Sequence, residues 1–226
     1  IVPEAKPIHN ISYRAALELS HFGAKVIFPP TIQPVVAQHI PIYVKCTFDT
    51  TAEGTLIEQN PPKGKTQLIG ISNSDNIALL SLEGSGMVGV PGFSSRLFQT
   101  LSENDISIIL ITQASSVNTM CVAVSEKDAT KAKEATDKCF AYEISLGKLN
   151  PLKVEKGYSI VCLVGNDLFS QRGTTGRMLD ALGRRSIGIR AVAQGSSERN
   201  ISVIVSSDDA NPAIRCIHNE FFEKSH

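Results

Sequence analysis

The sequence lacks an excess of charge of either sign, a long apolar run and any closely spaced pair of cysteines. Its 226 residues include 22 Lys and Arg against 22 Asp and Glu, so the formal net charge is zero. A neutral chain without a basic run is a poor partner for nucleic acid or an anionic membrane surface. No apolar stretch approaches the roughly 20 residues that a helix needs to cross a bilayer. We therefore expect neither nucleic acid nor a membrane among the partners.

The five cysteines are widely spaced, odd in number and never in a CxxC arrangement. Several lie in apolar runs, as Cys121 does between Met120 and Val122. This usage favours free buried thiols in a reducing cytosol over disulfides or a zinc site. The sequence thus predicts a cytoplasmic protein without a metal site. Residues 1–7 contain neither a signal-peptide core nor an initiator Met, so we expect a cut within a longer protein.

What the sequence does contain is an internal repeat. Apolar residues make up 42% of the chain and charged residues 19%, which suits packed cores in two or three small domains. A shift of 81 positions aligns residues 77–140, the first copy, with residues 158–221, the second copy, without a gap. The same residue type recurs at many aligned pairs: Gly84 and Gly165, Gly92 and Gly173, Arg96 and Arg177, Leu101 and Leu182, Gln113 and Gln194, and Phe140 and Phe221. The chain therefore carries one module twice.

Each copy is predicted to fold as strand, helix, strand, strand and helix. In the first copy these elements are an apolar strand at 77–83, a helix from Pro91 to about residue 103, strands at 106–112 and 119–124, and a helix at 126–140. Ser125 is the expected N-cap of that last helix, with Asp128 in the capping-box position. This order is the ferredoxin-like βαββαβ pattern without its final strand. The predicted fold class is therefore α+β.

The two missing strands must come from outside the repeated segments. Residues 152–154 follow the first copy and can complete it, whereas only four residues follow Phe222. The spare strand 66–72 precedes the first copy, so we predict a nested arrangement in which this strand completes the second copy. The predicted domains are 1–60, 77–156, and 66–72 together with 158–222.

Residues 84–89 spell GxGxxG between a strand and a helix, a pattern also found in dinucleotide-binding folds. Against that interpretation, the next strand ends in Gln113 and not in an acid, the second copy loses the pattern at 165–170, and a hairpin follows the helix. No Lys follows the glycines as in a Walker loop. The glycines either let backbone amides bind a carboxylate-sized anion or allow close packing of strand and helix. The residues alone leave both alternatives open.

Three stretches resemble the paired ACT domains of aspartokinases, particularly those of the bifunctional aspartokinase–homoserine dehydrogenases. They are residues 89–92 (GVPG), 106–116 (ending ITQASS) and 191–198 (AVAQGSSE). Residues 1–60 resemble the end of the aspartokinase catalytic domain, for example in FGAKV at 22–26 and GTLI at 54–57. The resemblance implies two nested ferredoxin-like ACT modules, preceded by the C-terminal end of an α/β amino-acid-kinase domain.

The resemblance also implies a function. Aspartokinases phosphorylate the aspartate side chain with ATP and Mg, the first step toward lysine, threonine and methionine. In the bifunctional relatives threonine binds the ACT domains and inhibits the kinase. The effector-binding residues that the resemblance implies are Met87, Gly92, Phe93, Ser94, Ser107 and Gln113 in the first copy and Gln194 in the second. In lysine-sensing relatives an Asp stands at the position of Ile109, so the resemblance favours threonine over lysine as the effector.

The resemblance places the catalytic site outside this chain. The family's phosphate loop, catalytic lysine and aspartate-binding residues do not match any part of it, so we expect no catalytic residue and no cofactor here. Lys45 is the one local residue that the resemblance indicates for nucleotide binding, and Phe28, Pro30 and Cys46 depart from the family pattern. ACT modules commonly pair between chains, which implies a homodimer. Two alternatives stay open: a structural dimerisation module without an effector, and a catalytic fragment that acts alone.

Overall fold

The structure is a computed structural model that describes residues 1–24, 26–49, 51–61, 68–87, 90–113, 119–168, 170–195 and 199–223. The chain divides into two compact units, one formed by Ile1–Ser74 with Ile160–His226 and the other by Asp75–Ser159. The smaller unit holds the first copy of the repeat and the larger unit holds the second. Within the described ranges, no helix is long and apolar enough to cross a membrane.

The regular elements follow the predicted order closely. The strands are β1 (Asn10–Ser12), β2 (Ile42–Val44), β3 (Thr55–Glu58), β4 (Leu68–Glu83), β5 (Ile108–Gln113), β6 (Thr119–Ser125), β7 (Lys153–Gly165), β8 (Ile189–Gln194) and β9 (Asn200–Ser206). The α-helices are α1 (Tyr13–His21), α2 (Pro29–Ala37), α3 (Phe93–Glu103), α4 (Ala129–Cys139), α5 (Ala141–Ser145), α6 (Thr174–Arg184) and α7 (Ala210–His218). Short 3-10 turns occupy Ser85–Met87, Glu126–Asp128 and Ser207–Asp209, and a π turn occupies Asn219–Glu223.

The N-terminal segment forms a small layer within the larger unit. β3 pairs in parallel with β1 and antiparallel with β2, which gives the order β1–β3–β2. α1 begins where the Ser12 side chain accepts a hydrogen bond from the Ala15 N–H at 3.2 Å. The buried residues of this layer are Ile11, Tyr13, Ala15, Ala16, Ile32 and Ile57. Its parallel strand pair and its helices have the α/β character that the resemblance implies.

In the smaller unit the strand order is β5–β6–β4–β7. β6 is antiparallel to both β5 and β4, with Ile77 of β4 opposite Ser125 of β6. α3 and α4 pack against each other. Leu152 is buried in the core of this unit and Val154 packs against that core. The residues after the first copy thus contribute to its core, as predicted.

The larger unit repeats this arrangement with the order β4–β7–β9–β8, in which β8 and β9 are antiparallel and α6 packs against α7. Leu68 and Ile71, from the start of β4, pack against the core of the second copy. This packing is what the nested arrangement requires of these residues, while the exact domain boundaries stay a prediction. The element order and the strand order together confirm two ferredoxin-like α+β modules.

Two helix starts differ from the sequence predictions. α3 begins directly after its N-cap Gly92, so Pro91 lies before the helix and not in its first turn. The second helix of the first copy begins with a 3-10 turn, and neither Ser125 nor Asp128 makes a side-chain cap there. Its counterpart Ser206 does accept a backbone N–H, at 3.3 Å. A residue type that can cap a helix therefore does so in one copy only, because the bond depends on the local turn as well as on the residue.

The end of α1 is held against the first residues of β4. Ser72 is 5% exposed, and its hydroxyl lies within hydrogen-bonding distance of the carbonyl oxygens of Leu19 (3.0 Å) and Phe22 (2.8 Å). Gly23 has φ 105°, and a Cβ at this position would lie 2.0 Å from the Asn73 carbonyl oxygen. Glycine adopts this backbone conformation without strain and leaves room for the strand. The helix end and the strand are therefore in direct contact.

Replacing Ser72 by Ala should lower the free energy of unfolding by about 1–3 kcal/mol, because carbonyl oxygens at the end of α1 lose a buried donor. Urea unfolding followed by circular dichroism would measure the change. Ser74→Ala, in the same strand, is the matched control and should change the free energy by less than about 0.5 kcal/mol. Equal losses in the two variants would contradict a specific role for the Ser72 hydroxyl.

Candidate functional site

The first helix of each copy begins after a glycine in the left-handed region. Gly92 precedes α3 with φ 101°, and Gly173 precedes α6 with φ 85°. Within the described residues, no side chain caps either helix, and a Cβ at either glycine would meet no atom within 4 Å. An uncapped helix start leaves backbone N–H groups that favour an anion. In the part of the chain that the structure describes, both copies therefore leave a helix start whose N–H groups favour an anion.

A glutamine ends the second strand of each copy. Gln113 is the last residue of β5, opposite Met120, and Gln194 is the last residue of β8, opposite Ile201. Both glutamines are exposed. In the second copy the Thr175 hydroxyl, from the first turn of α6, donates to Gln194 Oε1 at 3.2 Å. This hydrogen bond places the strand end directly beside the helix start.

The glycine turn after β4 serves close packing. A Cβ on Gly84 would lie 2.3 Å from the Lys148 carbonyl oxygen, and one on Gly86 would lie 2.8 Å from Lys148 Cβ. The Gly86 N–H donates to the same carbonyl at 3.0 Å. In the second copy the Gly165 N–H donates to the Arg199 carbonyl at 2.9 Å. Because neighbouring backbone uses these amides, the described part of the turn is not an open anion cradle; Val88 and Gly89 lie outside the described residues.

The other predicted effector residues divide between core and surface. Met87 is 2% exposed in the core of the first copy, and its N–H donates to the Gly84 carbonyl at 3.2 Å. Phe93 is also buried, with its ring stacked on that of Phe140 at 5.7 Å. Ser94, in the first turn of α3, is half-buried, and Ser107 is exposed just before β5. Gly92 and Ser94 thus lie at the start of α3 and Gln113 at the end of β5, and the role of all the predicted residues in binding stays a prediction.

Lys45 follows β2 and is exposed. Among the residues that the structure describes, no acidic side chain lies within salt-bridge distance of Lys45. Its role in nucleotide binding stays a prediction. In the same described part, no group of three or more His, Cys, Asp or Glu could hold a metal ion.

The cysteines are free thiols, but not all are buried. Cys162 and Cys216 are buried, and burial raises the pKa of Cys162 to about 12, which keeps its thiol protonated and unreactive. Cys121 and Cys139 are half-buried, and Cys46 is exposed beyond the end of β2. The prediction of buried thiols therefore holds for the central strand β7 and for α7, and is wrong for Cys46, where the chain has left the sheet.

An arginine in each copy fixes the helix start, a role that the sequence analysis did not assign. In the first copy the Arg96 guanidinium lies over the Phe140 ring, 4.3 Å from its centroid, and donates to the Glu143 carboxylate and, at 2.8 Å, to the Cys139 carbonyl. The hydrogen bond from Arg96 lowers the pKa of Glu143 below its ordinary value. The Arg96 N–H bonds the carbonyl of Gly92 at 3.0 Å, so the arginine lies one helical turn from the open glycine.

The second copy contains the same arrangement. The Arg177 guanidinium lies 4.7 Å from the centroid of the Phe221 ring and donates to Glu220 Oε1 at 3.1 Å. The Arg177 N–H bonds the carbonyl of Gly173 at 2.9 Å. The available signal in the sequence was that both the arginine and the phenylalanine recur at the 81-residue shift. The carboxylates gave no such signal, because Glu143 and Glu220 are not equivalent positions in the repeat.

The two copies also share an irregularity in their edge strands. The pairing of β5 with β6 shifts between Ile108 and Leu110, and that of β8 with β9 shifts between Ile189 and Ala191. The residues skipped in this way, Ile109 and Arg190, are equivalent in the repeat. A β-bulge redirects the side chain it contains. The position that the sequence analysis used to distinguish threonine from lysine therefore lies in a bulge in both copies.

The two copies are ferredoxin-like α+β modules in tandem, with matching helix starts, strand ends and bulges. The ACT domain family matches residues 80–140 and 161–221. The chain belongs to the ACT domain family.

The relatives of the chain are aspartokinases. A bifunctional aspartokinase/homoserine dehydrogenase from Haemophilus influenzae is 41% identical over 222 residues, which are 98% of this chain and 27% of that protein. The crystal structure of the aspartate kinase from Clostridium acetobutylicum superposes with a TM-score of 0.85 at 26% identity, over 98% of this chain and 50% of that one. The regulatory subunit of aspartate kinase from Thermus thermophilus superposes with a TM-score of 0.60 at 26% identity, over 69% of this chain and 98% of that subunit.

The chain thus spans about a quarter of the bifunctional relative and half of the solved kinase. Its two ACT modules correspond to the regulatory, ACT-containing region of aspartokinases.

Replacing Glu143 by Gln should lower the free energy of unfolding at pH 7 by about 1 kcal/mol, a low value because Arg96 is 41% exposed. The folded pKa of Glu143 lies below its ordinary value of 4.5, so its contribution is present above that pH and is lost as the pH falls through the folded pKa. The difference between wild type and variant should therefore shrink in acid. Urea unfolding at pH 7 and at about pH 3 would measure it.

Glu134→Gln, an exposed change on the neighbouring helix α4, is the control for the Glu143 variant and should cost little at either pH. A loss in Glu143→Gln that is independent of pH would contradict the ionic contribution.

Proposed function

We propose that this chain is the amino-acid-sensing regulatory region of an aspartokinase and that threonine is its effector. In the full protein it controls the phosphorylation of aspartate by ATP and Mg. One observation supports this proposal most. Each copy has an exposed glutamine at a strand end and an uncapped helix start, at equivalent positions of the repeat. In the second copy Thr175 of the helix start bonds the glutamine.

This geometry suits the two ends of a free amino acid. Backbone N–H groups at the helix start can bind the carboxylate. A glutamine side chain both donates and accepts hydrogen bonds, so Gln113 can meet the ammonium or the hydroxyl of threonine. Ile109 cannot pair with the side-chain ammonium of lysine, which favours threonine among the amino acids of this pathway.

The regulation we propose is a shift between two arrangements of the protein. An effector can shift such an equilibrium only by its difference in affinity for the two states, which for allosteric sites is typically about 1–3 kcal/mol. Residues 5–57 transmit the shift to the kinase site, and the contact of Ser72 with the end of α1 supports that path. In this proposal the chain supplies no catalytic residue, and Lys45 is its one contribution to nucleotide binding.

We also propose a homodimer formed through the ACT modules. β5 is at the edge of the sheet in the smaller unit, and β8 is at the edge in the larger unit. Ile111 of β5 is 50% exposed, and its equivalent Val192 of β8 is 39% exposed. An edge strand with exposed apolar side chains can pair with the same strand of another chain.

Gln113→Ala should weaken threonine binding by about tenfold, because loss of a hydrogen bond to a charged or polar ligand group costs on the order of 1.5 kcal/mol. Isothermal titration calorimetry with threonine, lysine and methionine would measure affinity and stoichiometry. Gln99→Ala is the matched control, since Gln99 is an exposed glutamine on α3 that bonds Glu103 at 2.8 Å.

An unchanged affinity in Gln113→Ala would remove Gln113 from the site. Absence of heat with all three amino acids would favour the structural dimerisation module, and a response to ATP alone would favour a catalytic fragment.

Ile111→Asp or Val192→Asp should weaken the dimer at least about tenfold, because each places a charge beside a paired strand edge. Sedimentation velocity over a range of protein concentrations would measure this. Tyr142→Asp, at an exposed tyrosine of α5, should leave the dimer intact. If neither edge variant changes the sedimentation, the dimer does not form through these strands.

A further inference from the structure

We infer that a cleft between α1 and the start of β9 is a binding site for a small primary amine in its ammonium form. The cleft has a volume of about 390 Å³ and is lined by Leu17, Glu18, His21, Phe22, Pro29 and Asn200. This volume is within the range of small-molecule sites in proteins. None of these residues belongs to the predicted effector site, so this site is additional to the proposed function.

The cleft lies on the opposite face of the sheet from the strand-end glutamine of the second copy. Ile201 of β9 is opposite Gln194 of β8, and its side chain is buried in the core that also contains side chains of α6 and α7. Successive side chains of a strand point to opposite faces, so Asn200 points to the face on which α1 lies. A ligand in the cleft therefore occupies a place separate from Gln194.

Glu18 and Asn200 form the polar wall of the cleft. Asn200 Nδ2 donates to Glu18 Oε2 at 2.8 Å, and both residues are half-buried. Among the residues that the structure describes, neither side chain makes another hydrogen bond, which leaves Glu18 Oε1 and Asn200 Oδ1 as unused acceptors. Two neighbouring acceptors, one of them charged, suit a group that carries several N–H donors.

The charge of the cleft favours a cation. In the part of the chain that the structure describes, no Lys, Arg or His lies within salt-bridge distance of the Glu18 carboxylate. The cleft is at the C-terminal end of α1, where the negative end of the helix dipole also favours a positive charge. His21, exposed at this helix end, can accept a further N–H through a neutral imidazole. An anion would be repelled by both the carboxylate and the helix end.

The rest of the cleft suits an organic cation better than a metal ion. Within the described residues, no group of three or more His, Cys, Asp or Glu could hold a metal. The remaining wall is apolar: Phe22 is buried, and Leu17 and Pro29 are half-buried. Such a wall packs against the methylene groups of an aliphatic amine. The ligand class that matches the cleft is therefore an alkylammonium, with its head at the polar wall and its chain along Phe22.

The probe for this site is n-butylammonium, added to the full chain and followed by two-dimensional NMR. It should move the backbone amide resonances of residues 17–22 and of Asn200 in a saturable way. The expected dissociation constant is on the order of millimolar, which a ligand of about five non-hydrogen atoms can reach. Nuclear Overhauser contacts from its methylenes to the Phe22 ring would locate the chain. The uncharged n-butanol should leave these resonances in place at the same concentrations.

Glu18→Gln should weaken the binding of n-butylammonium by about tenfold, because a hydrogen bond to a charged group is lost. The new amide can still accept from Asn200 Nδ2, so the contact between helix and strand remains. Glu58→Gln is the matched control, because Glu58 is a half-buried carboxylate at the end of β3 that does not line the cleft. This control should bind n-butylammonium as the wild-type chain does.

A capped lysine, N-acetyl-lysine methylamide, distinguishes a free amine from a basic side chain of another protein. It carries the same butylammonium group on a peptide backbone and should bind no tighter than n-butylammonium. Tighter binding would assign the cleft to a lysine of a partner protein and overturn the assignment to a free amine.

Three further results would overturn the assignment of the cleft to an ammonium ligand. They are unmoved resonances with n-butylammonium, equal shifts with n-butanol, and equal affinity in Glu18→Gln and the wild-type chain. None of these measurements involves threonine, so the amine site and the proposed function are tested independently.

Discussion

The geometry of both sites depends on one interaction, the stacking of an arginine on a phenylalanine ring with a carboxylate beside it. Arg96 on Phe140 and Arg177 on Phe221 each tie the first helix of a module to the end of its second helix. A guanidinium over an aromatic face is favourable, and its fixed planar donors leave few orientations once a glutamate and a backbone carbonyl are bound. Because each arginine lies one turn after an open glycine, this contact sets where the uncapped N–H groups point. The strand-end glutamines and these N–H groups can bind one ligand together only if that direction is maintained.

Much of the fold follows from patterns that are local in the sequence. The apolar run at 77–83 and the alternating run at 119–124 predicted strands, and these segments form the largely buried parts of β4 and β6. The 81-residue shift then predicted the second module from the first. It also placed Gln113 and Gln194 at equivalent strand ends, where the structure has them. The strands and the strand ends could be predicted because they depend mainly on residues that are close together in the sequence.

What could not be predicted depends on residues far away in the sequence. The glycines at 84 and 86 allowed either an anion cradle or close packing, and the approach of Lys148, about sixty residues later, decides between them. Met87 and Phe93, which the resemblance names as effector residues, have side chains buried in the core, a placement that depends on packing and not on their neighbours in the chain. Neither bulged strand contains a glycine or proline at its bulge, and only the second copy has a glycine nearby, Gly188, just before β8. The carboxylates that bind the two arginines come from non-equivalent positions, so the repeat could not reveal them.

The interleaved use of the chain has an evolutionary consequence. Leu68 and Ile71 pack against the core formed by residues after 160, while Asp75–Ser159 folds as a separate unit between them. No single contiguous piece of coding sequence therefore specifies the second module alone. Recombination that transferred only residues 158–222 to another gene would produce a module whose core lacks the cover of Leu68 and Ile71. Recombination with a breakpoint inside the first module would separate the two segments of chain that form the second module. Once such an insertion has become established, the tandem pair is inherited, lost or shuffled as a whole.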